Sequence, residues 1–183
     1  MHIIFFIITL FFYHSVYAEN YGDVTGYKIP RFVSLKSDEI NLRVGPSINY
    51  PIKITYVYQN FPVEIVDEYD VWRKVRDNEN NIGWIKGSLL KGDRYGIVIS
   101  KEDQYANIYK YPRGKSIGKI GINNLVKINK CLQLWCLIKS NKNKFWIKKK
   151  NLWGVYELEK FNLSMLQPIM NFYWKILNII TKQ

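Results

Sequence analysis

The sequence is poor in the side chains that do most enzymatic and metal chemistry. Its only histidines, His2 and His14, stand at the extreme N-terminus, and Cys131 and Cys136 are the only cysteines in 183 residues. With the N-terminal segment removed, no histidine remains, which excludes Ser-His-Asp triads, Cys-His dyads and histidine-ligated metals. Two cysteines alone cannot complete an ordinary structural zinc site, so no cofactor or metal is expected. Disorder is excluded too, because 48% of the residues are hydrophobic and 16% aromatic, too apolar for an unfolded chain despite the net charge of +12. The length suits one ordinary domain or two small ones.

The first 18 residues read as a leader. Ile3 to Tyr13 is an apolar run of 11 residues, and Val16-Tyr17-Ala18 places small residues at −3 and −1 of a cut before Glu19. The run is shorter than a spanning helix requires. An uncleaved anchor is the rival, since the segment before the run has no Lys or Arg. Export with cleavage between Ala18 and Glu19 is the expectation, with a periplasmic or envelope-associated product.

Beyond the leader the chain contains an internal repeat. Trp72-Arg73-Lys74-Val75 and Gly83-Trp84-Ile85-Lys86 correspond to Trp135-Cys136-Leu137-Ile138 and Phe145-Trp146-Ile147-Lys148, at offsets of 63 and 62 residues. A period near 60 indicates a duplicated small domain. Each copy shows short alternating runs separated by turn clusters such as Asp77-Asn78-Glu79-Asn80-Asn81, and no sustained helical period appears from 29 to 155. Meandering short strands of this kind close into small barrels, which hide their sheet edges.

The chain resembles the bacterial SH3-like (SH3b) domains of exported proteins. The resemblance rests on Asn41-Leu42-Arg43-Val44-Gly45-Pro46-Ser47 with Tyr50-Pro51-Ile52, on Trp72-Arg73-Lys74-Val75-Arg76-Asp77, and on Gly83-Trp84-Ile85 with Ser88-Leu89-Leu90. It covers roughly residues 29–156, and the second copy departs from it, with Ala106 to Pro112 replacing the opening motif. It implies an all-β fold of two tandem barrels, 29–98 and 99–157, usually non-catalytic and often proposed to bind cell-wall material.

Within the first copy, period-2 alternation places Trp72, Lys74 and Arg76 on one strand face, with Arg73 and Val75 on the other. Trp72 then offers a stacking surface for a sugar or peptide, with Lys74 and Arg76 pairing a carboxylate. The competing reading is a Trp closing the barrel mouth beneath the cations. Arg43 and Tyr50 complete the candidate ligand-binding set; Gly45-Pro46 reads as a structural turn, and Trp84 as core. Trp135 occupies the place of Trp72, but Leu137 stands where Lys74 was, so the first copy is the better ligand site and the second is expected mainly to pack.

Cys131 and Cys136 flank a two-residue turn at Gln133-Leu134 and face each other across the hairpin, which favours a structural disulfide in an oxidising compartment. Lys142, Lys144, Lys148, Lys149 and Lys150 crowd the last hairpin around Phe145 and Trp146. Such interleaving occurs in nucleic-acid binders, but export points instead to an anionic envelope polymer or lipid headgroup. No nucleic acid is expected. Asp67, Glu68, Asp70 and Asp77 lie in turns with no cleft-like arrangement, so no enzyme is expected. Residues 158–183 form an amphipathic helical tail. Its stripe of Leu166, Ile169, Met170, Tyr173, Ile176, Leu177 and Ile180 is expected to pack on the barrels or a partner, with membrane-surface contact as the alternative. The whole reads as an exported binding protein for peptidoglycan, a cell-wall peptide or an envelope protein. The other reading is a periplasmic adaptor or membrane-surface scaffold using the basic patch and the tail.

Overall fold

The computed structural model describes residues 20–101, 103–140 and 142–180; the expected leader and its cleavage point at Ala18 and Glu19 lie outside the described residues. The described residues are mostly β, with one α-helix and two short 3-10 turns, Gly87–Leu89 and Lys149–Asn151. A two-stranded hairpin, β1 (Asn20–Tyr21) and β2 (Lys28–Ile29), precedes seven strands that form a first curled sheet: β3 (Arg31–Leu35), β4 (Ile40–Arg43), β5 (Ile52–Tyr56), β6 (Pro62–Tyr69), β7 (Trp72–Arg76), β8 (Ile82–Lys86) and β9 (Leu90–Lys91). The second curled sheet contains β10 (Tyr95–Val98), β11 (Tyr105–Tyr109), β12 (Ser116–Gly121), β13 (Leu125–Cys131), β14 (Trp135–Ser140), β15 (Asn143–Lys148) and β16 (Leu152–Trp153). Helix α1 (Gln167–Ile180) closes the described chain.

Strand order in the first sheet is β5-β4-β8-β7-β6-β3-β9 and in the second β12-β11-β15-β14-β13-β10-β16, the same order shifted by seven elements. The register repeats as well: Trp72 faces Lys86 and Lys74 faces Trp84, as Trp135 faces Lys148 and Leu137 faces Trp146. Each sheet curls around its own inward residues. Leu35, Leu42, Val63, Val75 and Ile85 fill the first core, and Val98, Val126, Ile138, Ile147 and Leu152 the second. Removing such side chains from water stabilises by about 1.5–3 kcal/mol apiece. Gly83 faces inward, where a Cβ would stand 2.6 Å from Leu42 Cγ and from the Arg43 carbonyl oxygen. The second sheet holds Phe145 at this position, packed against its core.

The boundary between the halves differs from the one expected at 98/99. Strand β10 pairs with β13 and β16 of the second sheet, so the first sheet ends at Lys91. The repeated Trp motifs give a period but not an end point, and β10 carries no Trp to mark it. The two halves share an interface. Phe32 packs on Trp153 and Tyr156 at ring-centroid distances of 5.1 and 4.7 Å, and Tyr156 Oη donates to Glu64 Oε1 at 2.8 Å. Burial, then this hydrogen bond, pushes the Tyr156 hydroxyl pKa well up. Ser34 Oγ also donates to the Asp93 carbonyl at 2.8 Å.

The tail is anchored before it becomes helical. Arg94 pairs with Glu159 and donates to the Gly154 carbonyl, while Lys149 Nζ donates to the carbonyls of Glu157 and Glu159 at 2.9 and 2.6 Å. Burial holds the Lys149 pKa down. Helix α1 starts at Gln167, with Pro168 in its first turn. Its docked residues are Gln167 and Trp174, with Leu177 alongside. Of the expected places for the apolar stripe, packing on the barrels is largely not met: Ile169, Tyr173 and Ile180 are 66%, 58% and 63% exposed. The side chain that won the contact is an aromatic one outside the stripe, because the second sheet presents aromatic rings for it to meet.

Candidate ligand-binding face

Uninterrupted pairing of β7 with β8 gives their outward face a simple composition: Trp72, Lys74 and Arg76 on one strand, Lys86, Trp84 and Ile82 opposite them. Arg43 on β4 faces Trp84 from the other side. The expected alternation is present, with Val75 fully buried on the inner face. The roles within the set change, however. Trp72 is 8% exposed and offers no ring surface to a ligand, so its expected stacking role is corrected. It closes the two-residue turn Asp70-Val71 opposite Tyr69, with Asp70 at φ +47°, which places it at a crowded hairpin end.

Trp84, expected in the core from its place in the sequence, is half-buried. Tyr69, 60% exposed, stands edge-on to it at 6.5 Å, and Lys74 Nζ lies 5.9 Å from its ring centroid, within cation–π range. Arg43 Nη1 donates to the Tyr50 carbonyl at 2.7 Å, which holds the 45–50 loop beside the face. The Tyr50 ring lies so close over Gly45 that a Cβ there would meet it at 2.6 Å, so this turn needs glycine. Tyr50 itself is 46% exposed. The structure thus brings together Arg43, Tyr50, Lys74 and Trp84, and adds Tyr69 and Lys86. Arg76 is committed elsewhere: its Nε donates to Glu64 Oε2 at 2.9 Å, and the same carboxylate receives Tyr156 at the inter-sheet boundary. A signal for Trp84 is present in the chain. Gly83 and Ile85 are two apart and share the inward face, which turns the residue between them outward.

The equivalent face of the second sheet is closed. Tyr109, Trp135 and Trp146 are each less than 10% exposed, and Trp174 of α1 packs on Trp146 at 5.3 Å in an edge-to-face arrangement. The basic cluster at the last hairpin also changes character. Lys149 is buried, Phe145 faces the core and Trp146 lies under the helix, so lysines do not alternate there with accessible aromatics. Cys131 and Cys136 form the expected disulfide, with Cα atoms 4.1 Å apart.

Two of the carboxylates considered for catalysis, Glu68 and Asp77, are held in hydrogen-bond networks. Glu68 accepts from Arg31 Nη2 at 2.7 Å, Thr25 Oγ1 at 2.7 Å and the Thr25 N–H at 2.8 Å, with Arg73 Nε at 3.5 Å. Burial would raise its pKa, but the hydrogen bonds from Arg31 and Thr25 and the Arg31 charge outweigh burial and hold it at about 2. Asp77 accepts the N–H groups of Glu79 and Asn81 and the Tyr56 hydroxyl, which organises its turn. Burial, then the Asp77 charge, raises the Tyr56 pKa strongly. Among the described residues, no three His, Cys, Asp or Glu side chains gather as a metal site.

The first of these sheets has the sequence signature of a known class. A bacterial SH3 domain family model matches residues 36–92, which span most of the first sheet and all of the open face. The second sheet lies outside that match. No curated protein matches the chain. Among solved structures, NlpC2 from Trichomonas vaginalis is similar at 15% identity and TM-score 0.31, covering 74% of this chain and 52% of its own. An NlpC/P60 family protein from Bacillus cereus is similar at 12% identity and TM-score 0.30, covering 76% of this chain and 61% of its own. The chain thus spans half to three-fifths of the length of these two structures.

Proposed function

We propose that the chain is an exported, non-catalytic binding protein. In this reading its second sheet is a diverged copy of the matched SH3 domain, and its first recognises peptidoglycan or another cell-envelope ligand through the Trp84 face. The observation that carries the reading is the asymmetry between equivalent surfaces: Trp146 is buried under the protein's own helix, while Trp84 is half-buried with Tyr69, Lys74 and Arg43 around it. An aromatic face of this kind stacks on a sugar ring or an apolar peptide segment, and the neighbouring cations pair with carboxylates. The bacterial SH3 match and the disulfide support an extracytoplasmic setting. The commitment of Glu68 and Asp77 to structural bonds supports a non-catalytic role.

The test is co-sedimentation of the chain from Glu19 onward with purified peptidoglycan sacculi across a salt series, beside Trp84→Ala and Lys74→Ala. Pelleting that persists in moderate salt and falls several-fold in Trp84→Ala is the expected outcome. Pelleting that disappears with salt and ignores both substitutions would reduce the binding to non-specific attraction of a cation for an anionic polymer. No pelleting at all would favour a protein-adaptor role.

A further inference from the structure

Helix α1 shows its apolar side to solvent. Gln167, Asn171, Trp174 and Asn178 recur at helical spacing; Gln167 and Trp174 are buried against the second sheet, and Asn171 lines the same cleft as Trp174. The opposite side carries Ile169, Phe172, Tyr173, Ile176, Ile179 and Ile180, exposed by 39–66%. Six large apolar side chains on one outward face form a contiguous patch of the kind soluble surfaces rarely leave uncovered. With 14 residues the helix is about 21 Å long. No described helix is long and apolar enough to cross a membrane.

The charge of the sheet beneath it is equally one-sided. From Gln104 to Tyr156 the sequence has twelve lysines and arginines and no aspartate or glutamate. The remaining 15 cations and 15 acids balance, so this stretch accounts for the whole net charge of +12. From Lys160 to Gln183 there is again no acid. Cations border the docked helix directly: Lys130 Nζ donates to Gln167 Oε1 at 3.2 Å, Arg113 lines the cleft with Asn171 and Trp174, and Lys175 lies on the helix itself.

We propose that α1 and the second sheet together form a docking module for an anionic phospholipid surface. The outward face of α1 lies in the bilayer plane at the boundary of headgroups and acyl chains, and the surrounding lysines and arginines sit over the phosphates. An amphipathic helix parallel to the surface with a basic surround is the arrangement that combines apolar insertion with attraction to acidic headgroups. A second copy of the chain is the poorer occupant, because closing two helices face to face brings two acid-free, strongly basic stretches together.

The experiment is flotation of the chain from Glu19 onward with vesicles of phosphatidylcholine alone and of equal parts phosphatidylcholine and phosphatidylglycerol, at low and high salt. Removing the leader keeps its apolar run from supplying the binding. The comparison is with the double variant Phe172→Asp, Ile176→Asp, whose substituted side chains point to solvent, so circular dichroism and melting should match the parent. The expected result is binding to phosphatidylglycerol vesicles that falls at least about ten-fold on neutral vesicles and again in the double variant. Equal binding by parent and variant would overturn the proposal by leaving only the lysines at work. Failure to float, with a concentration-dependent dimer in sedimentation velocity that the variant abolishes, would overturn it in favour of a second copy. Sacculus binding by Trp84 is read separately on the double variant, so the two surfaces succeed or fail independently.

Discussion

The two sheets stabilise the same register position by opposite chemistry. Glu68 faces Arg73 at the β6–β7 hairpin, and Cys131 faces Cys136 at the equivalent β13–β14 hairpin. The first position is an ion pair, the second a disulfide. Each is covered by a segment from outside its own sheet. The N-terminal hairpin lies over Glu68, so closely that a Cβ on Gly22 would stand 2.3 Å from the carboxyl carbon, and Phe161 bridges to Cys131. On the outer face the difference runs the other way: the ion-paired sheet is open at Trp84 and the cross-linked one is plugged by Trp174. Two sheets of the same strand order thus differ in what holds this position, an ion pair in one and a disulfide in the other, and only the second carries the helix.

The largest expected effect lies at the buried carboxylate. Glu68→Gln leaves Arg31 and Arg73 without their anion and should lower stability by about 3 kcal/mol in urea denaturation at neutral pH. Because the folded pKa of about 2 lies below the ordinary 4.5, the contribution of Glu68 is present in full above pH 4.5. It is lost as pH falls through that value toward 2. The parent should therefore lose about 3 kcal/mol more than the variant over that interval. Parallel acid curves for the two proteins would break the comparison at this point.

The disulfide comes next. Cys131→Ser with Cys136→Ser opens a very short loop and should lower stability by about 2 kcal/mol on the chain-entropy estimate. Reductant should lower the parent by the same amount and leave the double variant unchanged. A smaller and local effect is expected for Trp174→Ala. It should release α1, seen as rapid proteolysis near Lys175 and faster amide exchange across 167–180, while the unfolding free energy of the sheets changes by less than about 1 kcal/mol. Trp84→Ala should cost the least, within about 1 kcal/mol, since its ring is partly in water. A large loss there would make Trp84 a core residue after all and remove the basis for an open face.

Much of the fold is legible in the residues, for identifiable reasons. Paired tryptophans at matching spacing report the repeated strand order, and alternation around Val75 and Ile85 reports the strands, because both patterns come from backbone geometry. The Cys131–Cys136 pairing comes from a two-residue turn. Burial is harder to read. Trp72 and Trp84 sit on the same face of adjacent strands, and only the crowded Tyr69 turn distinguishes the buried ring from the open one. The commitment of Arg76 depends on Glu64 and on Tyr156, 92 residues from that carboxylate, a separation no local pattern spans. The helix defeats the pattern because periodicity indicates which face is apolar, not which neighbour it meets; a complementary set of aromatic rings decided that. The acid-free stretch from 104 to 156, by contrast, is visible in the residues and needs only a search for missing acids.

The Phe32, Trp153, Tyr156 and Glu64 interface has a thermodynamic consequence. Duplicated domains joined by a short linker often melt as separate units, but here a ring and a carboxylate of the first sheet are partners of two rings at the end of the second. These contacts predict that the two transitions are coupled. Calorimetry should show one endotherm whose calorimetric and van't Hoff enthalpies agree, and reducing a disulfide in the second half should shift the melting reported by Trp84 in the first.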